Sequence, residues 1–577
     1  MQSEVFTKQL AQIFSQPYFS WITALLEQKP STEIYLVGGA VRDAIMGGRL
    51  PNTISAANAE VRLQNPNNSS PYIEPYTPRR SRDFSLEPLR FSDESAFGNR
   101  PLNRVIKDYD FVVRGIPAQE LQSFLSSAGI VNLVGRTFGV YKFIPEDGYE
   151  GFKQASLESF DIALPRVEQA WGSGGYHDVD VQSDYKLAIE EDLGRRDFTI
   201  NAIAIRLRTT DYGLQLDEVT DPYNGRQDIE ARIIRAVGDP KQRFTEDYTR
   251  MLRAIRFACS LDCTVEPATL TALTELLPRI NDKRGKEFVA PREVVSRDLL
   301  KALYANPVRA FDLLDQSGAF QELIPELLAM KNCPQPEEFH SEGDVWTHTR
   351  LALQMLHTPE YANTFGAETT GGDRHYNALL IMAILLHDIG KPPMIQTPEK
   401  NGVERIRFDE HDTVGAELAR EIAKRLALSA QPENTPLHVD RDKLGWLIKH
   451  HLLTLHTRAE DMKSATVEKY FFNPNVPGEE LLRLVFCDAS ATIPKNDKPD
   501  LQNIFDLMAR IKRMASTVKE RHGLPKPLLN GDEIMKLLKI PAGPGVGEII
   551  RALREEQLSV RVKTKEEVMV WLKKQFG

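Results

Sequence analysis

The segment KDYDFVV contains two aspartates one residue apart, Asp108 and Asp110. Because successive side chains of a β-strand point to opposite faces, both carboxylates share a face if this segment is a strand. Two anions held so close repel each other, and divalent cations relieve that repulsion. Carboxylates alone favour Mg²⁺, and paired metal ions suit the in-line attack of a hydroxyl group on an α-phosphate. Asp108 and Asp110 are therefore the predicted catalytic and magnesium-binding residues, and Asp161 is a weaker candidate for a third carboxylate.

A glycine turn upstream has the composition of a phosphate-binding loop. In LVGGAVRDAIMG, Gly38 and Gly39 follow a predicted strand and precede a predicted helix. Glycines let backbone N–H groups approach a phosphate, the start of the helix adds a favourable dipole, and Arg42 can grip phosphate oxygens with its planar fork. The segment predicts a triphosphate site, although a turn that only requires tight geometry can have the same sequence.

Regularly spaced charges further along predict a ligand-binding helix. In EDYTRMLRAIRFA the charged residues recur at intervals of three, and residues three apart lie near one face of a helix; they are Asp247, Arg250, Arg253 and Arg256. The apolar residues between them supply a separate packing face, which leaves the charged stripe for a ligand. An ion-paired surface helix would show a similar pattern.

An aspartate beside an arginine can select a nucleobase. Cytosine and adenine both present an amino donor beside a ring-nitrogen acceptor, whereas uracil and guanine present a carbonyl acceptor beside an N–H donor. A carboxylate only accepts hydrogen bonds and a guanidinium only donates them. Asp247 and Arg250 therefore match C and A, and a buried mismatch with U or G costs on the order of a few kcal/mol.

A second set of chemical residues lies between residues 340 and 490. A His-Asp doublet in LLHDIGKPP has further His and Asp partners on separate predicted helices, which favours a site for one or two metal ions. The predicted ligands are His348, His387, Asp388, His411, His450 and Asp488, with His451 adjacent in IKHHLL. Imidazoles with carboxylates suit a transition metal such as Ni²⁺, Mn²⁺ or Co²⁺, whose bound hydroxide attacks a phosphoester. The alternative is a scaffold that has lost its metal.

The elements that must position these residues predict a multidomain chain of α/β and all-α parts. Strand-like and helical segments alternate to about residue 208, and nearly everything after residue 221 has helical periodicity. The predicted divisions are an N-terminal helical extension (1–30), an α/β head (31–208) with a proline-rich insertion (50–103), a helical neck (209–285), a helical body (286–335), a His-rich domain (336–495) and a basic helical tail (496–577).

Composition restricts the partners and the compartment. The net charge of −9 excludes a uniformly basic nucleic-acid surface. Residues 501–577, however, carry 15 Lys and Arg against 9 Asp and Glu, a net charge of +6, so residues 1–500 carry a net charge of −15. The apolar run Ala378–Leu386 is too short to cross a membrane. Four cysteines without metal or disulfide spacing and an N-terminus without a signal pattern predict a cytoplasmic protein.

The order and spacing of the GG…RD turn, the DxD strand, the RRDFTINA segment and the EDxxRxxR stretch resemble the class II tRNA nucleotidyltransferase and bacterial poly(A) polymerase family. The resemblance covers roughly 34–327. It implies a polymerase-β-like head, Mg²⁺ at Asp108 and Asp110, and base or phosphate contacts from the charged stripe that begins at Asp247. Triphosphate contacts are implied for Gly39, Arg42 and Arg196. The insertion of about fifty residues between the first two motifs departs from the family pattern.

The His and Asp residues are ordered as in the HD phosphohydrolase superfamily, and the tail resembles the C-terminal segment of many CCA-adding enzymes. Together these resemblances imply that the chain adds CCA to the 3′ end of tRNA from CTP and ATP, and that it hydrolyses phosphoesters at damaged RNA ends. The alternatives are a poly(A) polymerase, a CC- or A-adding enzyme, and an HD phosphohydrolase with an RNA-binding head. No obligate protein partner is expected.

Overall fold

The computed structural model describes residues 14–47, 108–134, 139–155, 157–170, 173–175, 179–211, 213–366, 374–495, 498–520, 528–558 and 561–576. The chain divides into two units, Met1–Glu246 with Thr264–Thr269, and Asp247–Cys263 with Leu270–Gly577. The predicted insertion at 50–103 lies outside the described residues.

The first unit is built on a seven-stranded mixed sheet with strand order β3-β4-β5-β2-β1-β8-β9. The sheet continues past residue 208 to Thr220. Its strands are β1 (Glu33–Val37), β2 (Asp110–Arg114), β3 (Gly129–Val134), β4 (Val140–Pro145), β5 (Phe160–Ala163), β8 (Ala204–Thr210) and β9 (Gly213–Thr220), while β6 (Arg166–Ala170) and β7 (Val179–Ser183) form a separate hairpin. The helices of this part of the chain are α1 (Ser20–Gln28), α2 (Gly39–Ile45), α3 (Ala118–Ala128), α4 (Tyr149–Gln154), α5 (Ile189–Gly194), α6 (Gly225–Glu230) and α7 (Pro240–Glu246).

Aromatic side chains cover one face of this sheet. Phe19, just before α1, stacks on Phe160 of β5 with ring centroids 5.1 Å apart, and Trp21 meets Phe111 of β2 edge-on at 5.4 Å. Tyr109 is buried in the same cluster. The residues that flank Asp110 therefore face an aromatic core, as the alternation in KDYDFVV predicts, and the other face is left for the carboxylate.

The rest of the chain is almost entirely helical, as predicted. Its helices are α8 (Thr249–Leu261), α9 (Pro267–Leu276), α10 (Arg292–Ala305), α11 (Pro307–Gln316), α12 (Ala319–Leu323), α13 (Val345–Met355), α14 (Pro359–Phe365), α15 (Ala378–Leu386), α16 (Lys391–Met394), α17 (Pro398–Asn401), α18 (His411–Arg425), α19 (Arg441–His450), α20 (Leu453–His456), α21 (Ser464–Val467), α22 (Gly478–Ala491), α23 (Gln502–Glu520), α24 (Gly531–Leu538), α25 (Pro544–Leu558) and α26 (Lys565–Phe576). Short strand pairs join β10 (Ile233–Ile234) to β11 (Thr264–Val265) and β12 (Lys283–Arg284) to β13 (Glu287–Phe288).

Helix α15 lies at the centre of the second unit. Asn377 caps its start by accepting a hydrogen bond from the Leu380 N–H, and every residue of the helix is buried. It packs against α10, α13, α19 and α22, which explains why it is apolar on all sides. Among the described residues no helix has the length and apolarity of a membrane span.

The C-terminal helices α24, α25 and α26 share a small apolar core that includes Ile534, Leu553 and Val568. Asn530 and Glu533 form a reciprocal capping box at the start of α24. Helix α25 begins at Pro544, within the GPGVG segment 543–547.

Candidate functional sites

The carboxylates of the first unit lie at the end of strand β2. Asp110 pairs with Val37 of β1 on one side and, in parallel register, with Asp161 of β5 on the other. Because parallel neighbours in register point to the same face, Asp161 lies beside Asp110. Asp108 precedes the strand and is exposed. The structure thus places three carboxylates at one end of the sheet, and the third is the candidate that the sequence favoured least.

The charges around Asp110 are those of a site that fits a cation. Burial raises the pKa of Asp110 to about 6, opposed by Arg196 and reinforced by the charges of Asp161 and Asp108. The Lys142 ammonium on β4 lies 2.9 Å from a carboxylate oxygen of Asp161 and lowers the pKa of Asp110 slightly. A buried carboxylate with two anionic neighbours is stabilised in its ionised form by a divalent cation, so these residues fit Mg²⁺.

Gly38 brings three sequence motifs together. Its backbone has φ 71° and ψ −131°, which a side chain disfavours, and a Cβ at this position would lie 3.0 Å from Arg196 Nη1 and 3.2 Å from Asp110 Oδ2. The glycine turn, the DxD strand and the RRDFTINA segment therefore converge on one point. Gly39 follows as the first residue of α2.

Two arginines next to this point are held by a buried polar network. Arg42 Nη1 donates to the side-chain oxygen of Asn201 at 2.8 Å, and Arg196 Nη1 donates to the Asn201 backbone oxygen at 3.2 Å. Arg196 also donates to Asp192, which is fully buried and is paired with Arg195 as well. Burial opposes the ionisation of Asp192, but these two guanidinium groups hold its pKa below the ordinary value. The network therefore fixes the orientation of the two arginines, Arg42 and Arg196, that are predicted to bind the triphosphate.

In the second unit, the three-residue spacing was wrong in placing Asp247 on the helix, because α8 begins at Thr249 and Asp247 lies just before it. Its Oδ1 accepts hydrogen bonds from the backbone N–H of Thr249 at 2.8 Å and from the Thr249 hydroxyl at 2.7 Å. Burial raises the pKa of Asp247 although Arg250 and Arg253 act against it. Arg250 and Arg253 are half-buried on α8, while the apolar residues between them are buried.

Arg256 has a packing role in the same unit. Its guanidinium forms an ion pair with Asp298 of α10 at 2.8 Å and lies 4.0 Å from the centroid of the Phe257 ring. Asp298 is 2% exposed, so this pair joins α8 to α10 in a buried setting. The nucleotide contact predicted for Arg256 remains a prediction.

The histidine-rich cluster is assembled from the ends and faces of five helices. His348 comes from α13, His387 and Asp388 directly follow α15, His411 begins α18, His451 follows α19, and Asp488 comes from α22. His348 Nε2 lies 3.0 Å from Asp488 Oδ1 and 3.4 Å from His387 Nε2. On the other side of the cluster, Asp388 Oδ1 lies 3.6 Å from His411 Nε2 and 3.7 Å from His451 Nε2.

The structure corrects the prediction that His450 faces the cluster, because it places His451 there instead. His450 Nδ1 donates to the Trp446 carbonyl at 2.8 Å, and its ring stacks on the Trp446 indole with centroids 4.7 Å apart. Neighbouring helical residues point about 100° apart, so only one member of the HH doublet can face the cluster. The spacing of the sequence did not distinguish them.

Hydrogen bonds orient the imidazoles as metal ligands. The Nδ1–H groups of His387, His411 and His451 donate to the backbone oxygens of Ile384, Phe408 and Ile448 at 2.6–2.7 Å. Each Nε2 therefore faces the carboxylates, and it is the nitrogen that would bind a metal ion after losing any proton it carries. His411 Nε2 is buried and has no hydrogen-bond partner among the described residues. Two groups could each hold one ion, His348 with His387 and Asp488, and Asp388 with His411 and His451.

The cluster also concentrates opposing charges. Burial lowers the pKa of His387, but Asp388 and Asp488 outweigh it and raise that pKa to about 10. Burial, reinforced by the charge on His387, lowers the pKa of His451 to about 4. A cavity of about 1070 Å³ opens onto Asp388, His411, His451 and Asp488, so a substrate of nucleotide size can reach the cluster.

Comparison with known proteins identifies the family to which each part of the chain is similar. The family described as Poly A polymerase head domain matches residues 99–235, and the family described as HD domain matches residues 355–484. The A-adding tRNA nucleotidyltransferase of Deinococcus radiodurans is 31% identical over 388 residues, which cover 67% of this chain and 79% of that protein. The chain belongs to the tRNA nucleotidyltransferase family. A multifunctional CCA protein of Acidovorax sp. (strain JS42) is 28% identical over 477 residues, covering 80% of this chain and 94% of the relative.

Solved structures show that the tRNA nucleotidyltransferase fold extends along the chain. The Bacillus stearothermophilus CCA-adding enzyme in complex with CTP aligns with a TM-score of 0.53 at 18% identity, covering 97% of this chain and 98% of that one. The Thermotoga maritima CCA-adding enzyme complexed with tRNA aligns with a TM-score of 0.52 at 17% identity, covering 100% and 98%. The polymerase-β-like head, the helical region and the HD domain are thereby confirmed as the architecture of this nucleotidyltransferase.

Sequence reasoning missed three polar residues of the two sites in this nucleotidyltransferase. Asp192 was detectable, because it lies three and four residues before Arg195 and Arg196 on one helical turn. Lys142 gave no signal, since an exposed lysine in a strand is ordinary. Glu342 lies in a loop before α13, and only the fold reveals its contact with His348.

The raised pKa of Asp110 predicts a pH-dependent stability difference in metal-free protein. The folded-state pKa of about 6 exceeds the ordinary 3.8, so ionised Asp110 destabilises the fold above pH 6, by on the order of 3 kcal/mol. This penalty shrinks as the pH falls from 6 and vanishes only below 3.8, where both states become protonated. We expect Asp110→Asn to raise the unfolding temperature in EDTA at pH 7.5, with a gain that disappears below about pH 3. A gain of equal size at both pH values would contradict the assignment.

Proposed function

We propose that this tRNA nucleotidyltransferase completes the 3′-terminal CCA of tRNA from CTP and ATP without a nucleic-acid template. The observation that carries the proposal is the convergence of Gly38, Asp110 and Arg196, with Asp161 beside Asp110. It supports a triphosphate and divalent ions next to each other, as nucleotidyl transfer requires. Relatives that are named multifunctional CCA proteins support the complete CCA product.

In the proposed reaction, the 3′ oxygen of tRNA attacks the α-phosphorus of the incoming nucleotide, and pyrophosphate leaves. When held by Asp108 and Asp110, Mg²⁺ would lower the pKa of the attacking hydroxyl and neutralise charge on the triphosphate. The backbone at Gly38 and Gly39 leaves room for phosphate. Arg42, oriented by Asn201, and Arg196, oriented by Asp192, donate to the phosphate oxygens.

We further propose that Asp247 and Arg250 read the base. Asp247 Oδ1 is used by Thr249, so accepting the amino group of C or A falls to Oδ2. Arg250 supplies the donor for the ring nitrogen. Asp247 is half-buried, so a bound base covers its carboxylate and a mismatched U or G leaves polar groups unpaired.

Asp247→Ala is expected to weaken discrimination against UTP and GTP by about tenfold to a hundredfold, with a smaller effect on triphosphate binding. The measurement is kcat/KM for each of the four nucleotides with the same tRNA. Asp247→Asn is the matched variant, because it keeps an acceptor for Thr249 and changes the group that faces the base. Equal nucleotide preference in wild type and both variants would show that another group reads the base.

The product distinguishes the proposal from its alternatives. Purified protein is incubated with tRNA lacking CCA, with each nucleotide separately and in mixtures, and the products are resolved at single-nucleotide length. Three additions followed by a stop support CCA addition. Addition of A alone, which is what the name of the Deinococcus relative states, would replace it with A addition, and a long A ladder would replace it with polyadenylation.

A second activity is proposed for the HD domain, hydrolysis of phosphoesters at RNA 3′ ends. The observation behind it is the set of oriented imidazoles around Asp388 and Asp488 beneath an open cavity. A transition metal such as Ni²⁺, Mn²⁺ or Co²⁺ supplies a hydroxide nucleophile at neutral pH when bound there. The His residues and carboxylates hold it, with Asp388 placed to serve both ligand groups.

Binding of tRNA by the basic tail is also part of the proposal. It is supported by the +6 charge of residues 501–577, which contrasts with the acidic remainder. The substrate that the resemblance implies is tRNA.

A further inference from the structure

Glu342 is a buried carboxylate at the edge of the HD cluster, in the loop that precedes α13. Its side chain is 1% exposed. Oε1 accepts hydrogen bonds from Nδ1 of His340 at 2.7 Å and from Nδ1 of His348 at 2.9 Å, and Oε2 accepts from the Ile493 backbone N–H at 3.0 Å. The three contacts all place a nitrogen donor against the Glu342 carboxylate, which acts as their acceptor.

These contacts determine the tautomer of His348. Because Nδ1 carries the proton that Glu342 accepts, Nε2 is the nitrogen left to bind a metal ion, and it faces Asp488 Oδ1 at 3.0 Å and His387 Nε2 at 3.4 Å. His348 is fully buried, so water cannot exchange for Glu342 as the Nδ1 partner.

His348 differs from the other imidazoles in how it is oriented. His387, His411 and His451 lie at helix ends and donate to the backbone oxygen three residues earlier. His348 lies within α13, where the nearby Asp344 oxygen already accepts from the His348 backbone N–H. The Nδ1–H of His348 donates to the Glu342 carboxylate and not to a backbone oxygen.

We propose that Glu342 is a positioning residue of the HD metal centre, which holds His348 in the tautomer and orientation that bind a metal ion. The inference rests on the proposed HD hydrolase. His340, Glu342 and His348 could instead hold an ion themselves, but both imidazoles already use Nδ1 to donate to the carboxylate. Carboxylate–histidine pairs of this kind typically change metal affinity by about 10- to 100-fold.

The test is metal binding by the full-length protein in three single variants. Co²⁺ is titrated into metal-free wild type, Glu342→Gln, His340→Ala and Glu337→Gln, and affinity and the visible absorption of bound Co²⁺ are recorded. A glutamine amide has one oxygen acceptor and an NH₂ group in place of the other oxygen. The NH₂ group would face one of the N–H groups that now donate to Glu342, so the orientation and tautomer of His348 would no longer be fixed. We expect a loss of affinity of about 10- to 100-fold and an altered Co²⁺ spectrum for Glu342→Gln.

The other two variants separate positioning from local structure. Glu337 is exposed in the same loop and pairs with Lys495, so Glu337→Gln should match wild type. His340→Ala removes the second partner of Glu342 and should leave affinity within about threefold, since His348 keeps its acceptor. The inference is overturned, while the proposed hydrolase is unaffected, if Glu342→Gln keeps the wild-type affinity and spectrum. The same holds if His340→Ala loses as much Co²⁺ affinity as Glu342→Gln. Wild type that binds neither Co²⁺ nor Mn²⁺ overturns the metal centre and the inference together.

Discussion

Asp110→Ala is expected to lower kcat/KM for nucleotide incorporation by at least about a thousandfold, because it removes a carboxylate that holds the catalytic ions. Asp110 begins the strand that lies between β1 and β5. Burial and two anionic neighbours raise its pKa. Asp108→Ala should have a similar effect. Binding of tRNA should stay close to wild type, since it depends on phosphate contacts made elsewhere.

The measurement pairs single-turnover incorporation of CTP and ATP with tRNA affinity in the same buffer. Glu150→Ala is the control, since Glu150 is an exposed carboxylate at the start of α4. Incorporation at the wild-type rate by Asp110→Ala would remove the proposed catalytic site. Loss of tRNA binding with loss of activity would mean that the substitution acts on the fold.

The double substitution His387→Ala with Asp388→Ala is expected to eliminate release of phosphate from 3′-phosphorylated RNA, and opening of 2′,3′-cyclic ends, with Mn²⁺, Ni²⁺ or Co²⁺ supplied. Both residues are buried at the end of α15, and Asp388 contacts both proposed ligand groups. Magnesium-dependent incorporation of CTP and ATP should remain near wild type. The reason is that carboxylate ligands and His-rich ligands prefer different metals.

The neighbouring histidines provide a matched control. His451→Ala should reduce phosphate release strongly, whereas His450→Ala should not, because His450 faces Trp446 and only His451 faces Asp388. Equal loss in both would contradict the assignment of His451. Loss of nucleotide incorporation in the doublet variant at an unchanged unfolding temperature would show that the two activities are not separable. Absence of phosphate release by wild type with each of these metals would favour the scaffold alternative.

The sequence by itself determined which chemistry each segment offers. Alternation in KDYDFVV places Asp110 opposite its aromatic neighbours, and the apolar run before His387 and Asp388 forms the buried helix that delivers them. These features depend on the period of a single element, 2 for a strand and 3.6 for a helix. They are therefore readable from residues a few positions apart.

Only the tertiary structure decided which distant residues meet. Asp161 lies beside Asp110 because β5 pairs with β2 in one particular register, and a shift of one residue would turn it to the other face. The choice of His451 over His450 depends on how α19 is rotated against α15 and α22, a matter of about 100° that helical packing fixes. Glu342 reaches His348 from a loop with no periodicity at all. Such contacts are set by the packing of elements against each other, and the pattern within each element does not contain that information.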